Sequence, residues 1–227
     1  MVLPCYNPPA GWEKVVVESV KELEIKAGIS IDLILVNDGS TERVEEDHIN
    51  HINNQIAQFA YIDYPENRGK GYALRKGVAA AKNDFIIYTD IDFPYTSGSF
   101  LTVFEKLKEG NDVVPGHRGK AYYDNTPFMR KLISKFLRWT LKTFLRLPTD
   151  DSQCGIKGFN RVGAAVFRDT QIDRFLFDLE FIKLSAKRKV KIQKAPVELK
   201  PDVVFSSVSL KILARESMNF VRVLFRK

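Results

Sequence analysis

Histidine, cysteine and long apolar runs are all scarce in this chain, and each scarcity excludes something. The three histidines, His48, His51 and His117, form no cluster, so an imidazole-based metal centre is not expected. The two cysteines, Cys5 and Cys154, each sit inside an apolar run. Buried free thiols in a reducing compartment are therefore expected, rather than a disulfide framework. No apolar stretch approaches the roughly 20 residues needed to cross a bilayer. No leader is expected either, because Met1 is followed at once by the strand-like run Val2–Tyr6. Repeats and low-complexity segments are absent as well, which removes solenoids and linkers.

What is present is a hydrophobic share of 44% over 227 residues, enough for one well-packed domain. The formal net charge is +7, with a sequence pI near 9.3. Such a balance suits anionic partners, but the location of the charge must choose among nucleotides, phospholipids and nucleic acid.

The first half alternates strand and helix patterns. Val2–Tyr6 ends at Asn7-Pro8-Pro9, and Trp12, Val16, Val20 and Leu23 then recur at helical spacing. Ile31–Val36 reads as a buried strand stopped by Asn37-Asp38-Gly39-Ser40-Thr41. Phe59–Tyr64 reads as another, leading to Asn67-Arg68-Gly69-Lys70-Gly71 and an alanine-rich helix through Ala81. Phe85–Tyr88 is the next, ending at Asp90-Ile91-Asp92. Alternation of this kind predicts βαβ units, a mostly parallel sheet and an α/β fold. Ligands bind such sheets beyond the carboxyl ends of the strands, where every polar cluster here falls.

Asp90 and Asp92 can point into one site if the backbone leaves the pleat after the strand. Hard divalent cations favour such oxygen donors. The alternative is a solvated acidic turn. Asp38 followed by Gly39 suits a contact to a base or ribose, or an ordinary Asx turn. The loop at Gly69-Lys70-Gly71 offers amides, a helix start and cations to phosphate. It is neither the dinucleotide fingerprint, since Leu74 stands in place of the third glycine, nor a Walker loop.

Taken in order, Pro4-x-Tyr6-Asn7, Val36–Thr41, Asn67-x-Gly69-Lys70-Gly71 and Asp90-x-Asp92 resemble the family 2 inverting glycosyltransferases, whose nucleotide-binding half has a GT-A fold. The later Asp151-x-Gln153-Cys154-Gly155-Ile156-Lys157 and Phe177-Asp178-x-Glu180 resemble the branch containing dolichyl-phosphate β-glucosyltransferase and polyprenyl-phosphate mannosyltransferases. The resemblance implies a hexose moved from a nucleotide-sugar, UDP-glucose-like or GDP-mannose-like, to a polyprenyl phosphate, with Mg²⁺ or Mn²⁺ as cofactor. It implies that Pro4, Tyr6, Asn7 and Asp38 hold the nucleotide, with Lys70 close by. Asp92 would be the direct metal ligand, and Asp90 would reach ribose or metal-bound water. Arg118 and Lys157 would offset phosphate charge. Asp151 or Asp178 would face the acceptor as base or orienting group. Two positions depart from the pattern: Pro8 stands where the family usually has Glu, and Phe93-Pro94-Tyr95 replaces the polar-His-Pro stretch of the mannosyltransferases.

A division is expected at 115/116, with the nucleotide-sugar half over 1–115 and an acceptor-side half over 116–227, both within one catalytic domain. In the second half, Phe128–Leu147 places Arg130, Lys131, Lys135, Arg138, Lys142 and Arg146 opposite Leu132, Ile133, Phe136, Leu137 and Phe144. A terminal helix from about Ser209 repeats the pattern. Basic amphipathic helices suit a membrane interface, or simply pack on the core. The expected location is cytoplasmic, peripheral on the inner face of the cytoplasmic membrane. A saccharide acceptor in surface polysaccharide synthesis and a non-catalytic nucleotide- or membrane-binding module remain as alternatives. Nucleic acid is not an expected partner, because the charge lies on amphipathic helices rather than beside a base-stacking platform.

Overall fold

The computed structural model describes residues 1–119, 147–149, 151–201 and 203. In chain order the elements are β1 (Val2–Cys5), α1 (Trp12–Ala27), β2 (Leu33–Asp38), α2 (Glu46–Gln55), β3 (Phe59–Tyr64), α3 (Lys70–Ala80) and β4 (Ile86–Tyr88). They continue with α4 (Ser97–Lys108), β5 (Val113–Arg118), β6 (Lys157–Phe159), α5 (Arg161–Arg168), α6 (Phe177–Lys187) and β7 (Ala195–Val197). The basic helices expected over 128–147 and from about Ser209 lie outside the described residues, apart from Leu147.

The strands form one sheet in the order β3-β2-β1-β4-β6-β5-β7. Parallel pairing joins β3, β2, β1 and β4, and also β5 with β7. Strand β6 runs antiparallel to both its neighbours, β4 and β5. The sheet thus takes strands from both sides of residue 115, and the α/β expectation holds.

The central strands are buried on both faces, which is why they read as continuous apolar runs rather than alternating ones. Every residue of β2 is buried. Its side chains nonetheless sort by the two-residue period: Ile34 and Val36 face one layer, Leu33 and Leu35 the other. The first layer carries Leu74 and Val78 of α3, Phe167 of α5 and Phe181 of α6. The second carries Trp12 and Val16 of α1, Ile52 of α2 and Phe100 of α4. Each fully buried aliphatic or aromatic side chain contributes about 1.5–3 kcal/mol of transfer free energy. The resulting helix–sheet–helix sandwich is what holds the strand ends in register.

Local signals end the elements where the chemistry requires. Gly28 closes α1 in the left-handed conformation (φ 66°), with its amide donating to the Glu24 carbonyl. Asn160 caps α5, its side-chain oxygen accepting from the Val162 and Gly163 amides at 2.9 and 3.1 Å. Three elements, β5 across the expected 115/116 division and β6 and β7 beyond it, carry no strand signal of their own. Two of them are only three residues long, too short for a periodic pattern.

Candidate active site

The carboxyl ends of β1, β2 and β4 open on a cleft of about 710 Å³. The expected residues Pro4, Tyr6, Asn7, Asp38, Lys70, Asp90, Asp92, Arg118 and Asp178 all line it. Lys157 and Asp151 do not appear on its wall; they lie behind it.

Asp38 ends β2 and is 3% exposed. Its carboxylate is already occupied. Oδ1 accepts from the Arg68 amide (2.8 Å) and the Tyr64 hydroxyl (2.9 Å), and Oδ2 from the Gly69 amide (2.8 Å) and Asn67 Nδ2 (3.0 Å). Asp38 therefore moulds the 67–71 loop to the end of the strand. Burial, followed by the hydrogen bond to Asp38 and then its charge, pushes the Tyr64 hydroxyl far above its usual range, so it stays a donor.

At the end of β4, Asp90 accepts a hydrogen bond from the Lys70 ammonium. Burial alone would lower the Lys70 pKa, but the charges of Asp90, Asp178 and Asp92 outweigh it and hold the amine above its ordinary value. Asp92 is shifted up, first by burial and then by repulsion from Asp90. Two like charges in partial burial are a site that a cation relieves. Across from them a Cβ on Gly155 would lie 2.6 Å from Asp90 Oδ2 and 3.3 Å from the Tyr95 hydroxyl. Only glycine leaves that space open. A donor set of two hard carboxylates facing an open cradle fits Mg²⁺ or Mn²⁺, with further ligands from phosphate and water. Among the described residues no group of three or more His, Cys, Asp or Glu could hold a metal without such outside ligands.

The two candidate acceptor-side carboxylates differ. Asp151 is clamped by Arg118, which donates from its amide (2.9 Å), Nε (2.9 Å) and Nη2 (2.6 Å). Burial works against the Arg118 charge, but Asp151 more than offsets it and holds the guanidinium protonated. Asp178, in the first turn of α6, takes both the Lys157 ammonium (2.6 Å) and the Tyr88 hydroxyl on Oδ1. Among the described residues Oδ2 has no hydrogen-bond partner. Lys157 is fully buried and also donates to the Cys154 carbonyl at 2.6 Å.

Several wall residues escaped the sequence reading. Arg174 and Phe175 enter from the segment before α6, and Phe177 from that helix's first residue. Gln153 lines the cleft with its buried Nε2 unpartnered, and Asn67 bonds Asp38. Gln153 and Phe177 lay inside quoted motifs, where Asp151 and Asp178 drew the attention. Arg174 and Phe175 lay three and two residues before a motif, with no spacing signal of their own.

The family model for glycosyl transferase family 2 matches residues 1–170. The chain belongs to that family. Within glycosyl transferase family 2 it is similar to the dolichyl-phosphate beta-glucosyltransferase of Saccharomyces cerevisiae, at 24% identity over 221 residues. That match covers 87% of this chain and 65% of the yeast protein, so the chain spans under two thirds of that relative's length. Two solved structures share the fold. Glucosyl-3-phosphoglycerate synthase from Mycobacterium tuberculosis, solved with Mn²⁺, uridine diphosphate and phosphoglyceric acid, superposes with a TM-score of 0.63 at 18% identity, covering 98% of this chain and 75% of that one. Mannosyl-3-phosphoglycerate synthase from Rubrobacter xylanophilus gives 0.68 at 17% identity, covering 99% and 72%. The α/β fold is the GT-A fold of these glycosyltransferases.

Proposed function

We propose that this chain is the catalytic part of an inverting hexosyltransferase, which moves a sugar from a nucleotide-sugar to a polyprenyl phosphate at a membrane surface. The observation that carries the reading is the acidic pair Asp90 and Asp92 at the end of β4, facing Lys70 in a cleft large enough for a nucleotide-sugar. Likeness to the dolichyl-phosphate enzyme supports the acceptor class.

In this reading Pro4, Tyr6 and Asn7 hold the base and ribose, and Asp38 acts by shaping the 67–71 loop. Tyr6 is 51% exposed on the cleft wall, free to pack against a planar base. Asp92 and Asp90 would hold Mg²⁺ or Mn²⁺, which supplies positive charge to neutralise the departing diphosphate. Lys70, released from Asp90, adds a second cation close by. Transfer is one in-line displacement at the anomeric carbon, and the departing group takes the bonding pair as nucleoside diphosphate. A phosphate acceptor arrives already ionised, so no strong base is required. Asp178 then orients the acceptor or sugar through its unpartnered Oδ2, while Lys157 and Tyr88 fix its other oxygen. Arg118, held by Asp151, contributes positive potential along the same wall.

No helix among the described residues is long and apolar enough to cross a membrane. Peripheral attachment to the inner face of the cytoplasmic membrane is part of the proposal, supported by the basic amphipathic patterns in the sequence.

Calorimetric titration with UDP, GDP and their sugars, with Mn²⁺ and with chelator, tests the reading on wild type and Asp92→Ala. One nucleotide should bind only with metal, and the variant should lose that binding. A folded wild type that binds none of them would overturn the assignment. Transfer to a saccharide, giving a product stable to mild acid, would retain the enzyme but replace the acceptor.

A further inference from the structure

Three cations of the described residues line the cleft: Lys70, Arg118 and Arg174. Lys70 is paired with Asp90 and Arg118 with Asp151. Arg174 alone of the three has no carboxylate or hydrogen-bond partner for its guanidinium. Its neighbour Asp173 does not balance it, because Arg75 already pairs with that carboxylate.

Arg174 is also held in place. The Gly71 amide donates to the Asp173 carbonyl at 2.7 Å, and Arg75 Nη1 donates to the Ile172 carbonyl at 2.9 Å. Glu180 Oε2 accepts from the Gln171 and Ile172 amides, both at 2.8 Å. The segment lies directly on Gly69 (φ 110°), where a Cβ would meet the Asp173 oxygen at 2.5 Å and Arg174 Cγ at 3.0 Å. A guanidinium fixed at its stem and unpaired at its tip is preorganised for an anion. Beside it, Phe175 lines the same cleft and is 51% exposed. An apolar group that covered the exposed half of this ring would gain transfer free energy.

An anion receptor adjoining an uncovered aromatic ring matches an amphiphile with a phosphate at the head of a hydrocarbon tail. A nucleotide-sugar has no such tail. We infer that Arg174 and Phe175 form the acceptor subsite: Arg174 takes the lipid phosphate in bidentate fashion, and Phe175 packs on the first carbons of the chain. This rests on the polyprenyl-phosphate reading above and assigns its specificity to residues outside the quoted motifs.

The test is binding, so it needs no turnover. Farnesyl phosphate in detergent is titrated into wild type, Arg174→Gln, Arg174→Lys and Phe175→Ser, and metal plus the bound nucleotide is titrated separately. Arg174→Gln should weaken farnesyl phosphate by at least roughly tenfold, the scale of one charge-assisted contact, and leave the nucleotide Kd unchanged. Arg174→Lys should recover part of the loss. Wild type should bind farnesyl phosphate more tightly than isopentenyl phosphate, and Phe175→Ser should flatten that difference. Equal weakening of nucleotide and lipid phosphate in Arg174→Gln would reassign Arg174 to the donor diphosphate and overturn the inference. So would no change in either. Lipid phosphate bound through Arg174 without transfer from any donor would keep the subsite and discard the transferase reading. Transfer at an unchanged lipid-phosphate KM in Arg174→Gln would do the reverse.

Discussion

Lys157 and Asp178 meet at 2.6 Å beneath the cleft, with side chains 0% and 6% exposed. Their pairing joins the antiparallel strand β6 to the first turn of α6. It therefore ties the part of the sheet that β6 closes to the helix carrying a cleft carboxylate. Taking two charges out of water is costly, and each tolerates burial only while the other is present.

Lys157→Met should consequently cost about 3–5 kcal/mol, the usual penalty for stranding one member of a buried pair. Urea unfolding followed by circular dichroism gives the value. A loss below about 1 kcal/mol, the scale of exposed pairs, would mean that water reaches the site.

Gly155→Ala should damage the acidic site while sparing the fold. The added methyl would stand 2.6 Å from Asp90 Oδ2. Displaced supporting groups at metal sites typically cost about 10–100-fold in affinity. Titration of Mn²⁺ with nucleotide should show a loss of that size at a nearly unchanged melting temperature. Intact affinity would place the cation elsewhere.

Asp38→Ala leaves the Arg68 and Gly69 amides and the Tyr64 hydroxyl without their acceptor. A single buried group left unpaired costs about 1–3 kcal/mol. Accelerated hydrogen exchange at the Arg68 and Gly69 amides, with weaker nucleotide binding, is the expected pair of results. Unchanged exchange at those two amides would show that the loop holds its shape without the carboxylate.

Burial pushes the Cys5 thiol up to about 12, with a Ser40 hydrogen bond acting weakly the other way, and Cys154 is also raised by burial. Neither thiol should react with an aromatic disulfide reagent at pH 8 in the folded protein, and both should react in urea. In the unfolded chain Cys5 ionises near its ordinary value of 9.0, well before it does in the native state. The contribution is complete below pH 9 and is lost as pH rises from about 9 to 12. Alkaline melts of wild type and Cys5→Ala should converge over that window. Rapid labelling of native Cys5 would contradict its burial.

The sequence by itself determined the strand–helix alternation of the first half and the place of its polar clusters. Continuous apolar runs such as Leu33–Val36, short and bounded by turn residues, read as strands covered on both faces, which puts Asn37-Asp38-Gly39 and Asp90-x-Asp92 at their carboxyl ends. The second half was legible as motifs but not as structure. Strands β6 and β7 have three residues each and exist because β4 and β5 are there to pair with them. Local spacing carries no trace of such long-range pairing. Tertiary structure alone decided which charges are spent and which are free. Asp151 and Arg118 are 33 residues apart, and Asp178 and Tyr88 are 90 apart, yet each pair is in contact. Arg174 has no partner among the described residues, and Arg75, from helix α3, pairs with the neighbouring Asp173.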